Sequence, residues 1–292
     1  MCAVVIAWVN PYPLLKPGLR AILANRRQPD EIIVVTRHCL EMQRQFRDDF
    51  PQVTLLSQSP ESTIPALRAI GIRASSSAVV LVTEDHCTPA GDWVERATRA
   101  ILAGSGVVSG PVENACTSRW RDWAAFLTEY SGVVRPAVRG VVNGVPGNNV
   151  AYRRDVADEV ARTLADGLWE SFALPSLEKR VRFTFDPDML VNHARPFDFN
   201  YFGVQRYHFC RAFAGMRLGS QSGAKRWLYV CGSVVLPVFL FWRALRNLLE
   251  RRRLIARFLI CSPLILFYFV VGALGEMAGY AFGSTDSLRY VE

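Results

Sequence analysis

The stretch Ala78-Val79-Val80-Leu81-Val82-Thr83-Glu84-Asp85-His86 decides how this chain folds. Its apolar run is short and rich in β-branched residues, which reads as a strand buried on both faces. The run ends abruptly in two acids and an imidazole, and Pro89 and Trp93 follow. Three similar runs precede it: Val4-Val5-Ile6-Ala7-Trp8, Ile32-Ile33-Val34-Val35 and Val53-Thr54-Leu55-Leu56. Helical stretches at 13–25, 40–49 and 64–74 separate them. This alternation predicts an α/β fold with a Rossmann-like, mostly parallel sheet flanked by helices. Ligands of such sheets sit beyond the carboxyl ends of the strands, which is where Glu84-Asp85-His86 falls. A divalent metal, Mn or Mg, held by one or two of these groups would neutralise a diphosphate there. The triplet reads equally as an acidic turn that caps the helix starting near Trp93.

Beyond it the chain predicts a helix from Asp92 to about Ala103 and a strand at Val107-Val108-Ser109-Gly110. Trp120, Trp123, Phe126 and Tyr130 recur at helical spacing, as a core stripe or as an aromatic wall under a ligand. Residues 141–154, with Gly144, Pro146 and Gly147, read as a loop leading into a helix at 155–165. A short strand-like run closed by Pro187 and then Val191-Asn192-His193 follow.

The chain has 292 residues, half of them hydrophobic, and a net charge of +8. Of its 34 basic residues only Lys16, Lys179 and Lys225 are lysines. The arginines thicken toward the C-terminus beside apolar runs, so anionic membrane headgroups are the expected partner rather than nucleic acid. No basic, aromatic-interleaved strand pattern supports nucleic-acid binding, and no Gly-x-Ser-x-Gly elbow supports hydrolase chemistry. Trp8-Val9-Asn10-Pro11-Tyr12 is not the glycine- and lysine-rich phosphate loop of a nucleotidyltransferase. Seven widely spaced cysteines, an odd number with no Cys-x-x-Cys pair, argue against a disulfide framework or zinc ribbon and make a reducing compartment the default. The N-terminal apolar stretch, 3–9, is too short and lacks the basic flank of a signal peptide. The catalytic part is therefore expected in the cytoplasm.

Composition shifts near residue 220, dividing an enzymatic domain (1–220) from a basic, apolar membrane-associated helical region (221–292). Residues 227–242 and 258–275 carry no charge, and Arg243, Arg246, Arg251, Arg252, Arg253 and Arg257 lie between them. Two full spans would put these arginines opposite the catalytic domain, against the positive-inside tendency. A hairpin, re-entrant or in-plane arrangement at the cytoplasmic membrane is the preferred reading, with two true spans and a buried soluble helix pair as alternatives. Gly275, Gly279 and Gly283 would form a smooth stripe on one helix face.

The order of these features resembles the inverting family 2 glycosyltransferases of the GT-A fold. Ala3-Val4-Val5-Ile6 with Asn10 resembles their opening strand and turn, and Pro29-Asp30-Glu31-Ile32-Ile33-Val34-Val35 their second strand. Arg68, Gly71 and Ala74 match the A-R-N-x-G-x-x-x-A helix. Glu84-Asp85-His86 stands at the Asp-x-Asp position, followed by P-x-x-x-W at Pro89 and Trp93. Gly147-Asn148-Asn149-Val150-Ala151-Tyr152-Arg153-Arg154 resembles the acceptor-side loop. Thr36-Arg37 replaces the aspartate that contacts a uracil base.

The resemblance implies a nucleotide-sugar site at Ala7, Trp8, Asn10, Arg68, Glu84, Asp85 and Arg211, and an acceptor side at Asn148 and Asn149. It implies metal ligands at Asp85, His86 and His193. Glu170 is the expected catalytic base, with Asp166 and Glu178 as rivals. The expected activity is metal-assisted sugar transfer from a nucleotide-diphosphate donor to a lipid-linked or cell-envelope glycan acceptor, as in polysaccharide biosynthesis. A non-catalytic membrane-bound module of the same fold is the alternative.

Overall fold

A computed structural model describes residues 1–141, 145–219 and 223–291, and the chain divides into two compact units. The first comprises Met1–Ala115 and Ala137–Arg195, the second Cys116–Pro136 and Pro196–Glu292. The boundary expected at 220 and 221 lies outside the described residues, as does Gly144.

The first unit opens with the predicted alternation: β1 (Cys2–Trp8), α1 (Tyr12–Leu23), β2 (Glu31–Thr36), α2 (Leu40–Asp49), β3 (Thr54–Ser57), α3 (Ile64–Ala74) and β4 (Val79–Glu84). Then come β5 (Cys87–Pro89), α4 (Trp93–Leu102), β6 (Val107–Ser109) and β7 (Val112–Asn114). Helix α5 (Trp120–Tyr130) belongs to the second unit. The first resumes with β8 (Gly140–Val141), β9 (Asn149–Arg153), α6 (Arg154–Ala165), α7 (Leu174–Leu177), β10 (Phe183–Phe185) and β11 (Val191–His193). The main sheet runs β3-β2-β1-β4-β9-β6-β10-β8. Strands β3, β2, β1 and β4 are parallel, β10 pairs in parallel with β6, and β9 runs antiparallel between β4 and β6.

Strand alternation divides the core between the sheet's two faces. Val4, Ile6 and Leu81 meet Leu15, Leu19 and Ile22 of α1 and Val94, Ala97 and Ile101 of α4. Val5, Val80 and Val82 join a cluster with Ala69 and Ile72 of α3 and Val156, Val160 and Leu164 of α6. Burying each large aliphatic side chain contributes roughly 1.5–3 kcal/mol. Gly71 brings α3 close to the sheet, since a Cβ there would lie 2.4 Å from Val5 Cγ1.

The sequence reading of 141–154 as a loop is corrected by β9. Val150-Ala151-Tyr152 is too short a run to announce a strand. Pairing on both edges, Val150 with Val82 and with Ser109, supplies what local pattern does not. A small second sheet, β5-β11-β7, is equally invisible locally, and it sets His193 opposite Cys87.

In the second unit, α8 (Phe199–Leu218), α9 (Gly223–Gly232), α10 (Leu236–Arg251) and α11 (Ile255–Phe282) accompany α5. Asp198 caps α8 by accepting the Asn200 and Tyr201 amides. Helix α11 packs against α8 at the glycine stripe. A Cβ on Gly275 would lie 2.3 Å from the Tyr207 carbonyl oxygen, and one on Gly279 2.3 Å from that of Arg211. Gly283 does not extend the stripe; it ends the helix at φ +80°. Trp123 and Phe126 are buried core residues, and Trp120 is exposed.

The apolar run 227–242 is not one helix. Helices α9 and α10 meet at a 59° bend, where Ser233 bonds back to the Tyr229 carbonyl and Pro237 opens the next helix. Helix α11, with a mean hydropathy of 2.3 over its most apolar window, is long and apolar enough to cross a membrane. Several of the linker arginines are committed within the unit. Arg251 donates to the carbonyls of Gly132, Val134 and Asn247, and Arg253 to that of Arg135. Arg257 stacks over Trp123, 4.5 Å from its centroid.

Candidate active site

Strand β4 ends at Glu84, and the turn that follows carries Asp85 and His86. Asp85 is buried and turned to the end of β1. Its Oδ2 accepts the amides of Val9 (2.8 Å) and Asn10 (2.7 Å), and its Oδ1 accepts Asn10 Nδ2 at 2.8 Å. Oδ1 also lies 2.9 Å from His86 Nδ1. Asp85 thus ties the β1–α1 turn to the imidazole and fixes which nitrogen of that ring carries a proton.

With Nδ1 donating to Asp85, Nε2 of neutral His86 is a bare lone pair. It faces Glu84 Oε2 at 3.3 Å and His193 Nε2 at 3.0 Å. Electron-pair donors this close need a proton or a cation among them. A proton is one answer. Burial opposes charge on His86, but bonds to Asp85 and Glu84 outweigh it and raise the pKa to about 9. Burial and the neighbouring His86 charge hold His193 well below its ordinary value. Glu84 is kept ionised because His86 and Arg68 overcome the cost of its burial.

A divalent cation is the other answer, and the donor set fits one. Ligand atoms of Glu84, His86 and Cys87 lie within 4.8 Å of one another. Carboxylate with imidazole suits manganese better than magnesium. Cys87 is the weakest of the three, since burial and then the Glu84 charge push its thiol up. Its carbonyl seats α1, because a Cβ on Gly18 would lie 2.4 Å from that oxygen.

Arg68 of α3 links this cluster to Glu170. The guanidinium is buried; Nη2 donates to Glu84 Oε1 at 2.9 Å and Nη1 to Glu170 Oε1 at 3.0 Å. The other Glu170 oxygen, Oε2, is buried without a hydrogen-bond partner among the described residues. Gly147, at the mouth of β9, passes so near Glu170 that a Cβ would lie 1.7 Å from Oε1.

The remaining expected residues have definite places. Ala7 and Trp8 end β1; the Trp8 ring is buried against Tyr12, His38 and Phe46, and its Nε1 donates to the Asn10 carbonyl. Thr36 Oγ1 donates to the Trp8 carbonyl, bracing this turn from β2. Asn149 is buried, its amide hydrogens on the Pro111 and Met189 carbonyls and its oxygen on Trp93 Nε1. Asn148 is also buried, and its carbonyl accepts Thr83 Oγ1. Arg211 belongs to the second unit, where Nε donates to the Gly283 carbonyl. Sequence reading missed Cys87, though it directly follows the acidic triplet, and saw Gly147 only as a loop glycine.

A sequence profile of glycosyl transferase family 2 matches residues 3–161, more than half of the chain. Among solved structures, the mannosyltransferase PcManGT from Pyrobaculum calidifontis, in complex with GDP-Man and Mn2+, superposes with a TM-score of 0.54. The match covers 94% of this chain and 86% of that one at 16% identity, a likeness of fold. No curated protein sequence matches. With a GT-A sheet, the acidic triplet at its carboxyl edge and the profile spanning both, the chain belongs to glycosyl transferase family 2.

Proposed function

We propose that this enzyme moves a sugar from a nucleotide-diphosphate donor to a lipid-linked or cell-envelope acceptor at the cytoplasmic membrane face, with inversion at the anomeric carbon. One observation carries the reading: a single guanidinium, Arg68, joins a metal-type cluster to a carboxylate with one uncommitted oxygen. Glu84 and His86, with His193 beside them, would hold Mn2+ or Mg2+, which when bound neutralises charge on a departing diphosphate. Asp85 acts on His86, orienting the ring that faces the cation. Glu170 Oε2 takes the proton of the acceptor hydroxyl, whose oxygen attacks the anomeric carbon as the nucleotide diphosphate leaves from the opposite side. Asn148 and Asn149 sustain the acceptor side by anchoring the segment that follows Gly147, Asn148 through Thr83 and Asn149 through Trp93, Pro111 and Met189. A nucleotide-diphosphate donor is supported by the similar mannosyltransferase, captured with GDP-Man and Mn2+.

Membrane attachment is supported by the second unit. Besides α11, the bent α9–α10 pair exposes Trp227, Leu228, Val234, Val238, Phe239 and Trp242. Arginines beside such a surface favour anionic headgroups. The test is to incubate membranes containing the protein with a panel of nucleotide sugars and Mn2+, and to measure released nucleotide diphosphate. Metal-dependent release with one donor is expected. No release with any donor and acceptor would defeat the proposal.

A further inference from the structure

A second basic cavity lies in the first unit, between α4 and the far strands of the sheet. It measures about 320 Å³ and is lined by Arg96, Arg99, Ser105, Arg139, Arg182, Thr184 and Asp186, with Ala100 and Ala103. None of these belongs to the cluster around Arg68.

Most of the polar groups on its wall are donors, set among apolar surface. Asp186, the one lining carboxylate, is buried and already engaged, accepting Arg139 Nη2 at 2.6 Å and the Asp188 amide at 3.0 Å. Arg96 reaches Asp92 and Asp188 through Nε and Nη1, and Arg99 reaches Glu95 through Nη2 alone. Each keeps further N–H groups, and exposed pairs of this sort are weak enough to be rearranged. Arg182 forms no ion pair or side-chain hydrogen bond among the described residues. Ser105 Oγ and Thr184 Oγ1 lie 2.8 Å apart. One hydroxyl hydrogen closes that bond, and the other is left to donate outward.

Guanidiniums around a hydroxyl donor, with the one lining carboxylate paired to Arg139 through Oδ1 and 3.8 Å from Arg96 Nη1 through Oδ2, select a ligand that is anionic and accepts hydrogen bonds. Phosphoryl oxygens meet that requirement, because a guanidinium fork matches their geometry. We infer that this cavity is a phosphoryl-anion site separate from the sugar-transfer centre, with Arg182 as its uncommitted cation and the Ser105–Thr184 pair at its floor. The phosphoryl group is carried either by a free phosphate or diphosphate or by a phospholipid headgroup.

The experiment titrates the full chain, freed of divalent metal with a chelator, with pyrophosphate by calorimetry, and follows hydrogen exchange across 96–105 and 182–186. Saturable binding with slowed exchange in both segments is expected. R182E should weaken that binding at least tenfold, and R182K should restore most of it. Because Arg182 is exposed and makes no ion pair or side-chain hydrogen bond among the described residues, neither change removes such a contact, and an unchanged melting temperature checks this. A parallel arm uses vesicles of phosphatidylcholine with and without phosphatidylglycerol. R182E lowering vesicle binding as well would assign the group to a headgroup, and an effect on pyrophosphate alone would assign it to a free anion. Absence of pyrophosphate binding, or equal affinity in wild type and R182E, would overturn the inference.

Discussion

Gly147 and Glu170 share one space: a methyl group on the glycine would sit 1.7 Å from Glu170 Oε1, the oxygen held by Arg68. Two residues far apart in sequence are therefore mutually fitted. Gly147→Ala must push the carboxylate off Nη1 of Arg68 or move the chain entering β9. Arg68 keeps Glu84, so no buried cation is orphaned, and stability should fall by only about 1–3 kcal/mol. A displacement of about 1 Å at a reacting group costs roughly a hundredfold in rate. Turnover should fall by that order while the thermal transition stays cooperative. Wild-type turnover in G147A would show that Glu170 need not sit where Arg68 holds it.

Glu170→Gln separates chemistry from architecture. The glutamine oxygen still accepts from Arg68 Nη1, and Arg68 retains Glu84, so folding and donor binding should persist. A carboxamide does not take the acceptor proton, and transfer should drop by about 10²–10⁴. Equal donor affinity with lost transfer is the expected split. Undiminished transfer would place the base elsewhere.

Asp85 tests a different kind of dependence. Its two oxygens serve three buried N–H donors of Val9 and Asn10 as well as the His86 ring. Alanine would strand these donors at roughly 1–3 kcal/mol each. Asp85→Ala should therefore lose about 3 kcal/mol or more, or about 6–12 °C in melting temperature for a domain of this size. Asp85→Asn keeps one acceptor oxygen and should be milder. If calorimetry gave the wild-type transition for the alanine variant, the anchoring role of Asp85 would be wrong.

Metal binding has a readout independent of turnover. A cation that binds only the folded cluster should raise stability by about 2.7 kcal/mol at a hundredfold excess over its Kd. Adding Mn2+ to chelator-treated protein should raise the melting temperature, and Glu84→Ala or His86→Ala should abolish the rise. A rise of equal size in both variants would put the ion at another site.

How much of this was legible follows from where each signal lies. Val79 to Val82 and Ile32 to Val35 announce strands because both their faces are covered, so the whole run is apolar. Val150-Ala151-Tyr152 announces nothing, since its strand character comes from Val82 and Ser109, both remote in sequence. The triplet at 84–86 was readable as chemistry but not as a division of roles. That division comes from the turn after β4, in which Asp85 bonds to the end of β1 and Glu84 stays beside His86. Glu170 was a candidate only through the family resemblance, whereas its clamp by Arg68 crosses from α3 and leaves no local trace. The bend at Ser233 was hidden inside an uncharged run because hydropathy does not register the break before Leu236, where α10 begins with Pro237 in its first turn.

That bend leads to the last prediction. Trp227 on α9 and Phe239 and Trp242 on α10 are 64%, 59% and 56% exposed. Their exposure has no purpose in water, where each costs roughly 25 cal/mol per Å² of apolar surface. Large aromatic side chains beside arginines are favoured at the bilayer interface. Replacing all three with serine removes none of the buried contacts of α11 with α8, so the unit should remain folded. Partitioning onto vesicles containing anionic lipid, measured by sedimentation, should fall at least tenfold. If α11 alone anchors the chain, the triple variant will sediment with vesicles as wild type does. Loss of binding in the triple variant, with an unchanged circular dichroism spectrum, would assign the attachment to the bent pair.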